Sequence, residues 1–175
     1  FARIPLKFIT EISAILIADD ASNDSTSSVA QQIKETRPDL PITVIQHQSN
    51  LGYGGNQKAG YSWMIDNGMD IVVLLHGDGQ YAPEYLQKMI KPITDKQADV
   101  VFGSRMLSQG SALQGGMPKY KFIGNKILTY WQNLMSGAKL SEWHSGYRAY
   151  STTSLKKTRY LDNSDYFDFD TEIIL

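Results

Sequence analysis

The chain has no cysteine in its 175 residues, which excludes disulfides, thiolate zinc sites and a cysteine nucleophile. That absence agrees with a reducing compartment. No apolar run approaches the ~18 residues needed to span a bilayer, and Phe1 opens neither a signal peptide nor an obvious natural start. An excess of one charge is also missing. With 17 Lys and Arg against 18 Asp and Glu, the formal charge of -1 argues against nucleic acid as a partner. Repeats, low-complexity tracts and linkers are absent as well. What the chain does hold is a sizeable core fraction, 42% apolar with 20% charged, which suits a single domain over residues 1–175. It ends at Glu172-Ile173-Ile174-Leu175 within an amphipathic pattern that continues, so a domain truncated at both ends is the expectation.

Apolar runs at Ala14 to Ala18, Ile42 to Ile45, Ile71 to Leu75 and Val100 to Phe102 alternate with helical patterns. Helices are expected over Ser27 to Thr36, Gly55 to Asn67, Pro83 to Asp95 and Lys119 to Met135, with Pro83 in a first turn and Gly68 and Gly137 as stops. Such alternation is the signature of βαβ units and predicts an α/β fold with a mostly parallel sheet flanked by helices. A glycine-rich loop from Gln109 to Gly116 is long enough to be mobile.

The run Ile71-Val72-Val73-Leu74-Leu75 reads as a buried parallel strand, and it ends abruptly in His76-Gly77-Asp78-Gly79-Gln80. Ligands of open α/β sheets collect at the carboxyl ends of such strands. Extended alternation would send His76, Asp78 and Gln80 to one side, while Gly77 and Gly79 let the backbone approach a ligand. Imidazole, carboxylate and amide oxygen form an incomplete shell for a divalent ion. A merely polar strand end is the competing reading for this motif alone.

Asp19-Asp20-Ala21-Ser22-Asn23-Asp24-Ser25-Thr26 follows the first apolar run. Capping accounts for Asp24 to Thr26 but not for the adjacent pair Asp19 and Asp20, whose repulsion needs a donor or ligand to offset it. Asn50-Leu51-Gly52-Tyr53-Gly54-Gly55-Asn56-Gln57-Lys58 opens a helix, where N–H groups could hold phosphate or ribose and Lys58 could neutralise charge. It matches neither the dinucleotide fingerprint nor Walker A, and a tight structural turn is an equal reading. Gly103-Ser104-Arg105 and Ser145-Gly146-Tyr147-Arg148 each present a guanidinium suited to phosphate, with Lys119 and Lys121 between them; salt bridging is the alternative for each arginine.

The order of these motifs, from about Ile15 onward, resembles the family 2 glycosyltransferases of the GT-A fold, in particular their dolichyl-phosphate mannose synthase-like and polyprenyl-phosphate glycosyltransferase branch. The resemblance rests on Ala18-Asp19-Asp20-Ala21-Ser22 with Asp24 and Thr26, on Asn50-Leu51-Gly52, on Gly77-Asp78-Gly79-Gln80 with Pro83-Glu84, on Gly103-Ser104-Arg105 and on Ser145-Gly146-Tyr147-Arg148. It implies a three-layer, Rossmann-like GT-A fold whose first strand precedes Phe1. It implies that Asp19 or Asp20 contacts the nucleoside, and that Asn50, Gly52, Lys58 and Gly77 line the donor site. Asp78 and Gln80 would hold a metal, Mg2+ or Mn2+, with the donor diphosphate. Arg105, with Lys121 or Lys119, would meet an acceptor phosphate; Arg148 would line the same pocket, and Asn125 would add a hydrogen bond.

One departure from the family pattern is His76-Gly77-Asp78 in place of Asp-x-Asp, which replaces a metal carboxylate by imidazole and favours manganese or weakens metal binding. The implied reaction is inverting transfer of a sugar from a nucleotide-sugar donor to a polyprenyl phosphate, at the cytoplasmic face of a membrane. A hydroxyl acceptor would instead need a carboxylate base, for which Glu142, Asp168 and Asp170 are the late candidates. The alternative of another class is a non-catalytic nucleotide-sugar-binding module. Asp168 and Asp170, before a helix beginning near Thr171, read more simply as caps, His144 as a packing residue and His47 as strand-end polarity.

Overall fold

The computed structural model describes residues 3–107 and 111–175. The elements are α1 (Leu6–Ile9), β1 (Ile15–Asp19), α2 (Thr26–Thr36), β2 (Ile42–Gln46), α3 (Gly52–Asp66), β3 (Ile71–Leu74), α4 (Leu86–Thr94), β4 (Val100–Phe102), α5 (Ser111–Gln114), α6 (Lys119–Ser136), β5 (Arg148–Ser151), α7 (Thr152–Leu155) and α8 (Phe169–Glu172). Short 3-10 turns lie at Pro83–Tyr85 and Tyr160–Asp162. All four apolar runs are strands and all four expected helices are present. Gly137 ends α6 in the left-handed region at φ 73°, where a side chain would be strained. Of the expected mobile loop, Gln109 and Gly110 lie outside the described residues, and Ser111–Gln114 forms the helical turn α5.

Strands β1 and β2 run parallel, with Ile15 opposite Ile42 and Asp19 opposite Gln46. β3 and β4 share a direction, but β5 lies between them and runs antiparallel to both. The sequence pattern did not contain this strand, because Arg148-Ala149-Tyr150-Ser151 has no apolar run. It is nevertheless the most deeply buried strand in the molecule.

Alternation along the three-stranded sheet builds two cores. Ile71, Val73, Val101, Tyr147 and Ala149 face Leu86, Met89 and Ile93 of α4 on one side. Val72, Val100, Phe102 and Tyr150 face Tyr61 of α3, Leu155 of α7 and Phe169 of α8 on the other. The result is three layers, helix on sheet on helix.

Pairing of β5 also fixes where chemistry can assemble. Arg148 sits opposite both Leu74 and Phe102, so the start of β5 meets the carboxyl ends of β3 and β4. The segment 142–147, which leads into β5, is thereby carried to the same edge as His76–Gln80 and Gly103–Arg105.

Candidate active site

A cleft of about 540 Å³ opens at that edge, lined by Gln80, Arg105, Gly115, Gly116, Lys121 and Asn125 among others. Four of the residues proposed from sequence for the phosphate region, Gln80, Arg105, Lys121 and Asn125, thus share one cavity. Arg105 is held by Glu142. Its Nε donates to Glu142 Oε1 at 3.0 Å, its Nη2 pairs with the same oxygen, and its backbone N–H donates to Oε2 at 2.7 Å. The Glu142 side chain is fully buried while the Arg105 side chain keeps 32% of its surface in solvent, so the carboxylate acts as a fixed anchor and the guanidinium reaches outward. Burial works against the Arg105 charge, but hydrogen bonding and attraction from Glu142 outweigh it and raise its pKa above the ordinary arginine value.

Asn125 completes the anchor by donating to Glu142 Oε1 at 3.1 Å while accepting from Thr129 Oγ1. Under the guanidinium lies the Tyr81 ring, 5.8 Å from its carbon, whose hydroxyl accepts the Gly146 N–H at 2.8 Å. Neither Glu142 as an anchor nor Tyr81 as a platform was read from the sequence. No local spacing links residue 105 to 142; only the insertion of β5 does.

The strand expected to align the metal trio ends short of it. Strand geometry stops at Leu74, and Gly79 turns the chain at φ 75°, so the alternation that would align His76, Asp78 and Gln80 does not continue through them. His76 sits edge-on to Tyr53 and Tyr81, with Nε2 3.3 Å from the Tyr53 hydroxyl. A Cβ at Gly146 would lie 2.6 Å from that imidazole. His76 is thus packed among Tyr53, Tyr81 and Gly146, at the wall behind the turn that bears Asp78. Among the described residues no three His, Asp or Glu side chains form a metal-holding group. Asp78 is exposed, and its Oδ1 accepts the Gln80 N–H at 3.0 Å. One exposed carboxylate at a turn fits a magnesium or manganese ion whose remaining shell is water and substrate phosphate, because such ions dehydrate reluctantly. Gly77 is exposed beside it, with no atom near its missing Cβ.

Arg148 is corrected more sharply. It is fully buried, and its donors go to the carbonyls of Ser145, Asp170 and Trp143, with the Asp170 carboxylate at 3.5 Å. It braces the wall from behind and lines no part of the cleft. Asp170 is likewise occupied: Tyr53 donates to Oδ2 at 2.8 Å and Gln57 to Oδ1 at 3.3 Å. It lies inside α8, which begins at Phe169 rather than near Thr171, so Asp170 is no cap. Burial and the Asp170 charge push the Tyr53 pKa far up, keeping that hydroxyl a donor.

The glycine-rich start of α3 binds protein, not phosphate. Asp20 accepts from Leu51 N–H at 2.7 Å and Gly52 N–H at 3.1 Å, and Asn50 Oδ1 accepts from Gly52 at 2.8 Å. The next N–H groups, of Gly54 and Gly55, reach the Asp165 carbonyl. Lys58 pairs with Asp165 Oδ1 at 2.8 Å and donates to the carbonyls of Asn163 and Leu161. Lys58 and the backbone N–H groups of Gly54 and Gly55 therefore dock the segment 161–165, while Asn50 caps the Gly52 N–H within its own loop. Asp19 differs from its neighbour. It is 4% exposed, Oδ1 accepts from Ser22, and Oδ2 is buried with no hydrogen-bond partner among the described residues. Such an orphan oxygen is costly unless a donor reaches it. His47 bonds Asn56 at 3.0 Å at the end of β2, in line with strand-end polarity.

His144 has a pKa lowered chiefly by desolvation, with Arg148 and Arg105 adding to the effect and Glu142 and Asp170 opposing it. The folded chain then keeps the ring neutral at a pH where the unfolded chain, near its ordinary value of about 6.5, takes up a proton. Stability contributed by this group is present above about pH 6.5 and falls on acidification through that value. Urea midpoints measured at pH 7.5 and 5.5 should differ less for His144→Gln than for the natural chain.

A model of glycosyl transferase family 2 matches residues 10–159. The chain belongs to that family. The family 2 domain is 31% identical over 152 residues to the UDP-N-acetylglucosamine--dolichyl-phosphate N-acetylglucosaminyltransferase of Methanococcus voltae, covering 81% of this chain and 60% of that protein. It is 29% identical over 143 residues to the polyprenol monophosphomannose synthase of Mycolicibacterium smegmatis, covering 82% of this chain and 52% of that protein. A similar match, 29% over 144 residues, is to the undecaprenyl-phosphate mannosyltransferase of Micrococcus luteus, covering 82% of this chain and 57% of that protein. The domain thus spans little more than half the length of these relatives. No helix among its described residues is long and apolar enough to cross a membrane.

Proposed function

We propose that the protein transfers a sugar from a nucleotide-sugar donor to a polyprenyl phosphate with inversion. The observation that carries this reading is the cleft in which Arg105, fixed on buried Glu142, shares a wall with Lys121 and Asn125 and stands near the turn bearing Asp78. A guanidinium on a rigid mount with a lysine beside it suits a phosphate, which is already anionic near pH 7 and needs positioning more than a general base. An acceptor oxygen attacks the anomeric carbon, the new C–O bond forms as the bond to the diphosphate breaks, and the electron pair leaves with the nucleoside diphosphate. No proton has to move. Asp78 would hold the divalent ion, which when bound supplies charge neutralisation for the departing diphosphate. Asp19, with its unpartnered Oδ2, suits a base N–H or ribose hydroxyl better than Asp20, whose oxygens already accept backbone N–H groups.

A saccharide hydroxyl acceptor is disfavoured because two of its three candidate bases are occupied: Glu142 by Arg105 and Asn125, and Asp170 by Tyr53, Gln57 and Arg148. Asp168 stays exposed at the start of α8. The polyprenyl-phosphate names of the relatives support the same choice of acceptor. The cytoplasmic face of a membrane, where such an acceptor is presented, is the location that follows.

Turnover of labelled nucleotide sugars by the full-length protein, with polyprenyl phosphate against free saccharide, tests the reading. Product on the lipid is expected, with about a hundredfold loss in Asp78→Ala and a comparable loss on chelation that magnesium or manganese restores. Binding of nucleotide sugar without turnover under metal supplementation would favour the non-catalytic module.

A further inference from the structure

We infer that the segment 164–168 builds a subsite for the transferred sugar, with Phe167 as a stacking platform for its ring and Asp168 as the acceptor of its hydroxyls. The inference rests on the transfer reading, because it assigns one part of the same donor. Phe167 is 78% exposed, yet one face of its ring is engaged: it stacks on Tyr53 with centroids 4.9 Å apart and planes 26° from parallel. The opposite face is left to solvent. The segment that carries the ring is pinned on either side of it. The Asp165 carbonyl accepts the Gly54 and Gly55 N–H groups at 2.7 and 3.2 Å, Ser164 Oγ accepts the Tyr166 N–H at 3.1 Å, and Glu172 accepts the Ser164 N–H at 2.6 Å. A large apolar ring is thus held in place and shown to water.

Asp168, the next residue, is exposed as well. The sequence pattern makes it a cap, but its side chain takes no capping hydrogen bond and has no other polar partner among the described residues. The C–H bonds of a pyranose form an apolar face that packs on an aromatic ring, while its hydroxyls donate to a carboxylate's free lone pairs. An open ring beside an unpaired carboxylate offers both contacts. Position decides which part of the donor they take. A row of rings joins Phe167 to the cleft: Tyr53 lies edge-on to His76 at 5.6 Å, His76 edge-on to Tyr81 at 5.3 Å, and Tyr81 under the Arg105 guanidinium at 5.8 Å. His76 stands two residues before Asp78, so the row passes the turn proposed to hold the diphosphate. The nucleoside has a partner in the buried Oδ2 of Asp19, and the acceptor phosphate has Arg105 and Lys121. Phe167 and Asp168 then serve the hexosyl group.

The test titrates the full-length protein by calorimetry, with magnesium or manganese present, against a panel of uridine- and guanosine-linked hexoses and against UDP and GDP alone. Phe167→Ala and Asp168→Ala should each raise the Kd of the nucleotide sugar that binds about tenfold, while the Kd of the matching nucleoside diphosphate stays within about twofold. Phe167→Trp keeps a ring at the position and should hold the nucleotide sugar nearly as well as the natural chain. Both residues are exposed, so the variants should melt at the temperature of the natural chain, which shows that any loss is one of binding. An equal loss for nucleotide sugar and nucleoside diphosphate in Phe167→Ala overturns the subsite and gives the ring to the base. Affinity for the nucleotide sugar that neither alanine variant changes overturns it too, and leaves the transfer reading standing. A natural chain that binds no nucleotide sugar of the panel overturns both.

Discussion

Replacing Glu142 by alanine should cost turnover about a thousandfold, although Glu142 touches no substrate in the proposed reaction. The carboxylate takes both the side chain and the backbone N–H of Arg105, and Asn125 donates to it from α6. Without it the guanidinium loses its mount at the cleft wall, and losing one oriented charge-stabilising group costs about two to three orders of magnitude in rate. Stability should fall too. Breaking a buried ion pair costs about 3–5 kcal/mol when both partners are sequestered; because Arg105 is a third exposed, about 2 kcal/mol is the better expectation. Glu142→Gln should keep the amide oxygen as an acceptor and lose less stability than the alanine variant, while still losing turnover. Steady-state kinetics and urea denaturation of the same three proteins check the pair of effects. Unchanged kcat in Glu142→Ala would remove Arg105 from the reaction.

Gly54→Ala should destabilise the chain by about 3 kcal/mol. A Cβ at that position would stand 2.4 Å from the Ser164 carbonyl oxygen, 2.7 Å from the Phe169 Cβ and 3.0 Å from the Asp165 carbonyl carbon. Two of those atoms are backbone, so no rotamer change relieves the overlap. The segment 164–169 would have to lift, taking with it the Asp165 carbonyl that accepts from Gly54 and Gly55. Gly68→Ala offers the contrast. Its φ of 74° strains a side chain, but no atom lies near its Cβ, so a loss of about 1 kcal/mol is expected. Thermal melting of the two variants side by side makes the comparison; equal losses would mean that the segment 164–169 yields to the added Cβ at little cost and that crowding does not hold Gly54.

The strands and long helices were legible because each carries its own pattern: an unbroken apolar run for β1 and β3, a glycine stop at 137 for α6. β5 was not. Its residues are ordinary until two neighbours close over them, and Arg148 looks like a surface cation until Ser145, Trp143 and Asp170 surround it. The same limit governs the site. Arg105 and Lys121 could be placed from motif order, since each stands just beyond the start or end of a recognisable element. The glycines at 52 and 54 could not be assigned, because a loop that cradles phosphate and one that admits a distant chain segment are written with the same residue. The surroundings of His76 were illegible for a related reason: strand pairing ends at Leu74, so alternation along β3 says nothing of the Tyr53 and Tyr81 rings that meet the imidazole.

The place of β5 has a consequence for how the molecule is made. Neither β3 nor β4 pairs with the other; among the described residues each finds its strand partner in residues 148–151. A ribosome delivers residues 71–102 well before that wedge, so through the intervening synthesis both strands present open hydrogen-bonding edges. The middle of the sheet, and with it the Glu142 clasp on Arg105, can close only as a late, long-range event, and the nascent chain is most exposed to mispairing in the interval before residue 151 emerges.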